Sequence, residues 1–340
     1  MTTAQQHFPF FRLSSYEKNQ VLRCMHPIVL LSFSLTSLKS KSIVKSLNLT
    51  TSRRLEIQFL FNQLNLIIYF QHCQIVFTIW WLRHDLILYR GNIALDSRTF
   101  DRVWADVDSQ VPSLNIRQWI DYICTVFNHT KSYDLAVVSR LSFNVPSMRR
   151  TLPDITGCII KTEYAEYAQE VLDNYLPIVK YLRLDDTVSE AFLNGSVQRV
   201  TIQNLDHIVI QTPMIRNPKR PTLDDLLCVN AKHITMYAAE NLTPTDVIRF
   251  IKLWQKGVLS PRLQYICFEF EDYVTETTVL RGIQYETRPR ELVREMRVPH
   301  SDNVNIRYGG WDIRSRNGRT ASVNRYLHGV TFNIAIFMWD

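Results

Sequence analysis

Apolar residues near the start of the chain recur at helical spacing, interrupted by two break signals. Ser14 followed by Glu17 has the spacing of a capping box and predicts a helix beginning there. Beyond it Val21, Leu22 and Met25 fall on one side, while Lys18, Asn19 and Arg23 face elsewhere. Pro27 disfavours the helical region for His26 but suits a first helical turn, so the chain breaks at His26 and restarts at Pro27. The second helix carries Ile28, Val29, Leu30, Leu31, Phe33 and Leu35, more apolar surface than a helix pair buries internally. Covering several such side chains, at about 25 cal/mol per Å², is worth a few kcal/mol to a partner.

The pattern then changes to strands. Residues 57–82 hold no Asp, Glu, Lys or Arg and are long enough to span a bilayer. Gln58, Asn62, Gln63, Asn65, Gln71, His72 and Gln74 break any continuous apolar face, however, which argues against a membrane span. Two short strands fit instead, Leu55–Phe59 with strict alternation and Leu66–Phe70, which is β-branched and aromatic.

Beyond residue 115, short apolar strands alternate with helical segments. Strands are expected at Val179–Leu184, Asp206–Ile210, Lys232–Met236 and Leu263–Phe268, their starts about 26 to 32 residues apart, near the period of leucine-rich solenoids. Helices are expected over Glu163–Tyr175 and Thr222–Val229. A third starts at Thr243-Pro244-Thr245-Asp246, carries Val247, Ile248, Phe250, Ile251 and Trp254 on one face, and ends at Gly257. Such units stack into a solenoid with one extended concave surface, or alternate within a compact α/β domain; the repeats are few and show no asparagine ladder. Near the end, Asn317-Gly318 predicts a β-hairpin turn, since both residues tolerate positive φ, and 332–339 predicts a last strand buried on both faces.

Composition narrows the function classes. At 340 residues and 46% hydrophobic the chain supports a sizeable core. Cys24, Cys73, Cys124, Cys158, Cys228 and Cys267 lie far apart with no CxxC spacing, and no signal segment precedes them, so reduced thiols in the cytoplasm or nucleus are expected. The sequons at Asn128 and Asn241 are then coincidental. No glycine-rich phosphate loop, HExxH, zinc spacing or G-x-S-x-G elbow occurs, so no catalytic residue, metal or cofactor is expected. His72-Cys73 and Cys24-x-His26 read as core or turn pairs, and Asp224-Asp225 as carboxylates favouring a helix N-terminus. A net charge of +7 leaves nucleic-acid binding as a lesser alternative, through Arg149-Arg150, Lys219-Arg220, Arg307, Arg314, Arg316 and Arg319. That charge is diffuse, and no aromatic stacking platform accompanies it.

Two stretches resemble a known family. Phe8-Pro9 leading to Arg12-Leu13, the short helix ending near Met25, Pro27-Ile28, then Leu31, Ser34, Leu35 and a basic last helix with Ile43-Val44 look like an F-box. Pro221–Phe270 resembles the F-box-associated domain (type 2) of a large nematode-expanded family, through Leu223-Asp224-Asp225-Leu226-Leu227, Asn230, Lys232-His233-Ile234, Leu242-Thr243, Phe250, Trp254, Lys256-Gly257 and Pro261-Arg262-Leu263. The likeness extends to Leu280-Arg281-Gly282, Arg288-Pro289 and Gly309–Arg314, while residues 50–200 match by their pattern of elements. Where family members usually carry proline after the leucine, this chain has Ser14.

The resemblance implies a mixed α+β, α/β chain. A three-helix F-box at 7–50 precedes a β-rich connection at 51–115 and an F-box-associated domain at 116–340, whose core motif lies at about 205–270. It implies a non-catalytic substrate adaptor of a cullin-type ubiquitin ligase. The Skp-type adaptor would bind through Pro9, Leu13, Pro27, Ile28, Leu31, Ser34, Leu35, Ile43 and Val44. The target and the residues that bind it remain unassigned. The alternative is a protein-interaction scaffold whose F-box-like helices engage no ligase.

Overall fold

The computed structural model describes residues 10–49, 51, 54–60, 63–70, 74–80, 89–96, 104–106, 116–129, 132–139, 145–162, 164–185, 200, 202–211, 222–237, 242–259, 261–270, 273–297, 304–328 and 331–339. It is a mixed α/β fold in two compact units, one of residues 1–56 and 62–132, the other of residues 57–61 and 133–340.

In the first unit a 3-10 turn, Phe10–Arg12, leads to α1 (Ser15–Arg23), α2 (Pro27–Leu35) and α3 (Leu38–Ser46). The expected capping box at Ser14 is present: its Oγ accepts from Glu17 N at 3.2 Å, and Glu17 accepts from Ser14 N at 2.8 Å. His26 caps α2 with Nδ1, which accepts from Ile28 N at 3.3 Å, and burial lowers the imidazole pKa, favouring the neutral ring this bond requires. Leu22, Leu30, Leu31, Val44 and Leu47 form the centre of the module. The helix α4 (Ile116–Val126) joins it, with Tyr122 Oη 2.9 Å from Ser34 Oγ and Asn128 Nδ2 donating to Lys45 O at 2.8 Å. The strands β2 (Gln63–Tyr69), β3 (Gln74–Trp80), β4 (Tyr89–Asp96) and β5 (Trp104–Asp106) follow as an antiparallel meander.

The second unit is built on one large sheet. Six strands, β6 (Tyr133–Val137), β7 (Ile155–Ile160), β8 (Tyr181–Leu184), β9 (His207–Gln211), β10 (His233–Tyr237) and β11 (Tyr265–Phe270), lie parallel and in sequence order. The intervening helices are α5 (Val145–Thr151), α6 (Ala165–Tyr175), α7 (Leu223–Leu227) and α8 (Pro244–Gln255). After the short α9 (Glu276–Val279), the antiparallel strands β12 (Glu286–Arg297), β13 (Val304–Arg314), β14 (Thr320–His328) and β15 (Thr331–Trp339) complete the sheet, with β15 against β11 and β12 at the edge. At the other end β6 is followed by β1 (Leu55–Phe59).

Local signals account for much of this. The cap at Thr243 forms as expected, with its Oγ1 accepting from Asp246 N at 3.2 Å, and Gly257 takes φ +77° just after α8. Thr222 and Asp225 form a second capping box, which is the role of that carboxylate. The hairpin between β13 and β14 forms around Asn317-Gly318 as expected. Of the two turn residues only Gly318 takes positive φ (+87°), and Gly318 N donates to Ser315 O at 3.1 Å within the loop 315–319. A short asparagine rung, not anticipated from the sequence, links successive strand starts: Asn230 Nδ2 donates to Asn204 Oδ1 at 2.8 Å.

Candidate protein-interaction surfaces

Strand alternation sorts the second unit's sheet into two unlike faces. One face presents Leu135, Cys158, Leu182, Ile208, Ile234 and Ile266 in register, with Ile160, Leu184, Ile210, Met236 and Phe268 beside them. The helices α6 and α8 pack there. Phe250 of α8 meets Phe268 edge-on at 5.9 Å, and Tyr167 and Tyr175 of α6 lie near Cys158. Burial pushes the Cys158 thiol up to about 12, with Asp134 adding to the shift.

The opposite face, whose apolar clusters include no residue of a described helix, is aromatic and polar, and its central side chains are buried. Across it run Tyr181, His207, His233, Tyr265 and Phe337, each paired in register with the next and with ring centroids 4.9–6.3 Å apart. Both histidines are held: His207 Nε2 lies 3.2 Å from Thr235 Oγ1, and His233 Nδ1 lies 2.9 Å from Asp206 O. Burial lowers the His233 pKa, favouring its neutral ring. Towards the strand C-termini the face becomes charged and half-exposed. Arg183 donates to Gln211 Oε1 at 2.9 Å, while Asp185 lies 3.7 Å from Lys161 Nζ; Tyr237, Glu269 and Tyr326 stand on neighbouring strands.

At the antiparallel end the face closes on a buried carboxylate. Asp312 accepts from Arg288 Nε at 2.7 Å, from Arg294 at 2.8 and 3.0 Å, and from Ser322 Oγ at 2.6 Å. Trp339 Nε1 donates to Ser322 at 2.8 Å, and the Arg294 guanidinium lies 5.1 Å from the Trp339 ring. Burial would raise this carboxyl, but hydrogen bonds from Arg294, Ser322 and Arg288 outweigh it and hold the pKa at about 2. Both oxygens of Asp312 accept from side chains on the flanking strands, so the cluster pins β12, β13 and β14 together. Arg288 and Asp312 come from two separate stretches of the sequence resemblance; Arg294, Ser322 and Trp339 carry no local signal.

The predicted adaptor-binding residues divide by exposure. Ile28, Leu31, Ser34 and Val44 are at most 4% exposed and form the module's own interior. Leu13, Pro27, Leu35 and Ile43 are half-buried at its surface, and Pro9 lies outside the described residues. Side chains not anticipated as contacts are the ones turned outward: Leu38 is 87% exposed, and Tyr16, Val29 and Phe11 follow. Phe11 stacks on Phe33 at 6.2 Å beneath the Lys39 ammonium, 5.0 Å from the ring.

The arginines considered for nucleic acid are partly engaged in holding the fold. Arg319 donates to Pro261 O at 2.9 Å and Leu263 O at 3.2 Å, and Arg149 donates to Asn174 O. Arg314 and Arg316 are exposed, while Lys219, Arg220 and the Arg307 side chain lie outside the described residues. Cys24 caps the end of α1 and His26 the start of α2, whereas His72-Cys73 also lies outside the described residues. No group of three or more His, Cys, Asp or Glu able to hold a metal occurs among the described residues, nor is any described helix long and apolar enough to cross a membrane.

The family described as F-box associated matches residues 196–268, from just before Val200 into β11. None of the curated proteins and no solved structure matches the chain. The matched segment carries β9, β10 and most of β11, hence three rungs of the aromatic ladder, together with α7 and α8.

Proposed function

We propose that this protein is a substrate-recognition adaptor of a cullin-type ubiquitin ligase, acting in the cytoplasm or nucleus. The observation that carries the reading is the F-box associated match at residues 196–268, in a chain that also holds a three-helix module at Ser15–Ser46. In this reading the module docks on a Skp-type adaptor, and the half-exposed end of the second unit's helix-free face, around Arg183, Gln211 and Tyr237, receives a target protein. The docking face is Leu13, Pro27, Leu35 and Ile43, extended by Leu38 and Phe11; Ile28, Leu31, Ser34 and Val44 set its shape from within. Ser14, in the position where F-boxes usually carry proline, starts α1 through its capping box.

The chemistry is proximity. Holding target and ligase on one chain makes their encounter effectively intramolecular, and no bond is broken by this chain's own side chains. A scaffold that engages no ligase is the competing reading, favoured by the burial of four of the nine predicted contact residues.

Capture of a purified Skp-type adaptor by the intact chain decides between them. Wild type should retain it, and Leu38→Asp, at an exposed position that leaves the fold intact, should lose it. Failure of the folded wild type to retain the adaptor refutes the ligase reading.

A further inference from the structure

Charge is distributed unevenly along this protein. Residues 10–49 carry six cations, Arg12, Lys18, Arg23, Lys39, Lys41 and Lys45, against one carboxylate, Glu17, so most of the chain's net +7 lies in its helical module. The single acid is occupied in the Ser14 cap, and none of the six cations forms an ion pair among the described residues.

Within α3 the arrangement works against the helix itself. Its first turn holds Lys39 and no acid, opposing the dipole, and Lys41 and Lys45 stand four residues apart on one side with like charge. Two of these lysines are fixed over aromatic rings, Lys39 over Phe11 at 5.0 Å and Lys41 over Tyr122 at 4.3 Å, which holds their charge at the surface. The exposed Leu38 stands beside them at the start of the same helix. A solvated face kept only for solubility has no need of fixed like charges around an exposed leucine.

We propose that the α3 side of the module docks on an acidic protein surface, with Leu38 and Phe11 filling an apolar depression and Lys39, Lys41 and Lys45 meeting carboxylates around its rim. The inference rests on the adaptor reading and adds the chemistry of the partner's contact surface. Rim charges act chiefly on the association rate and its salt dependence, whereas the apolar contact sets how long the complex lasts.

The test uses the full chain with purified Skp-type adaptor as probe, at low and at high sodium chloride. A Lys39→Glu/Lys45→Glu variant leaves Lys41 and its contact with Tyr122 untouched, and circular dichroism checks its fold. The expected result is affinity about tenfold weaker for the variant at low salt, mostly through slower association, with the difference vanishing at high salt. Wild-type binding that is indifferent both to salt and to the charge swap overturns this inference while leaving the adaptor reading in place. No binding at any salt overturns both. Wild-type binding to vesicles of mixed neutral and anionic phospholipid, with no charge effect on adaptor binding, assigns the patch to a membrane surface and also overturns the inference.

Discussion

Replacing Asp312 with asparagine keeps the shape of the buried cluster and removes its only central negative charge. Two guanidiniums then lose the carboxylate that accepts from Arg288 at 2.7 Å and from Arg294 at 2.8 and 3.0 Å. Breaking one side of a buried ion pair costs about 3–5 kcal/mol. Both arginine side chains keep partial access to water, at 29% and 24% exposure, which places this case at the low end, about 2–3 kcal/mol. Hydrogen exchange is the suitable assay because the second unit can open locally at β12–β14 without global unfolding. Amides of these strands should exchange roughly thirty- to a hundred-and-fiftyfold faster in Asp312→Asn, while those of β8–β10 stay near wild type. The pH dependence has a definite sign. Because the folded pKa is depressed from 3.8 to about 2, the carboxylate's contribution is present above the unfolded value and is lost as pH falls towards about 2. That contribution is about 1–2 kcal/mol once solvent screening is allowed for, and Asp312→Asn should lack it. Exchange in β12–β14 indistinguishable from wild type, or an unchanged acid-unfolding profile, would refute the pinning role.

Other perturbations have equally concrete outcomes. Thr243→Ala removes the α8 cap and should lower stability by about 1 kcal/mol, read by urea denaturation. Gly310→Ala places a Cβ 2.7 Å from Asn324 Oδ1 and 3.0 Å from Val323 O at φ +109°, and should destabilise by about 1–3 kcal/mol or more; a neutral result means that β13 takes another path there. A thiol reagent at mildly alkaline pH should label exposed Cys24 and Cys228 rapidly in the folded protein and Cys158 only after denaturation, since burial holds that thiol protonated to about 12.

What could be read from the sequence was local in origin. The caps at Ser14 and Thr243 and the restart at Pro27 are set by residues within a few positions of each other, and they form as read. The strands at 206–210 and 232–236 are apolar enough to declare themselves against polar flanks. Strand β12 did not, because Glu286–Arg297 mixes charge with proline and becomes a strand only by pairing with β13 across a bulge. The exposure of the residues expected to contact the adaptor was not legible in the sequence for a related reason. Ile28, Leu31 and Leu35 are equally apolar in sequence, but the packing of α2 against α3 and α4 buries the first two and leaves the third half-covered. Helical phase alone does not say which side a neighbouring helix will take. The aromatic ladder could be anticipated only after strand register was known, since its successive rungs are 26, 26, 32 and 72 residues apart.

The central claim is that two separate surfaces serve two partners, and one experiment separates them: affinity capture from cells of wild type, Leu38→Asp, and a Gln211→Ala/Tyr237→Ala variant on the helix-free face, each verified as folded, with Skp-type adaptor, cullin and ubiquitin-modified companions quantified. The account predicts that Leu38→Asp loses adaptor and cullin but keeps its other companions, and that Gln211→Ala/Tyr237→Ala keeps adaptor and cullin but loses the ubiquitin-modified companions. Equal capture of adaptor and cullin by all three proteins, or their absence from wild type, would contradict it.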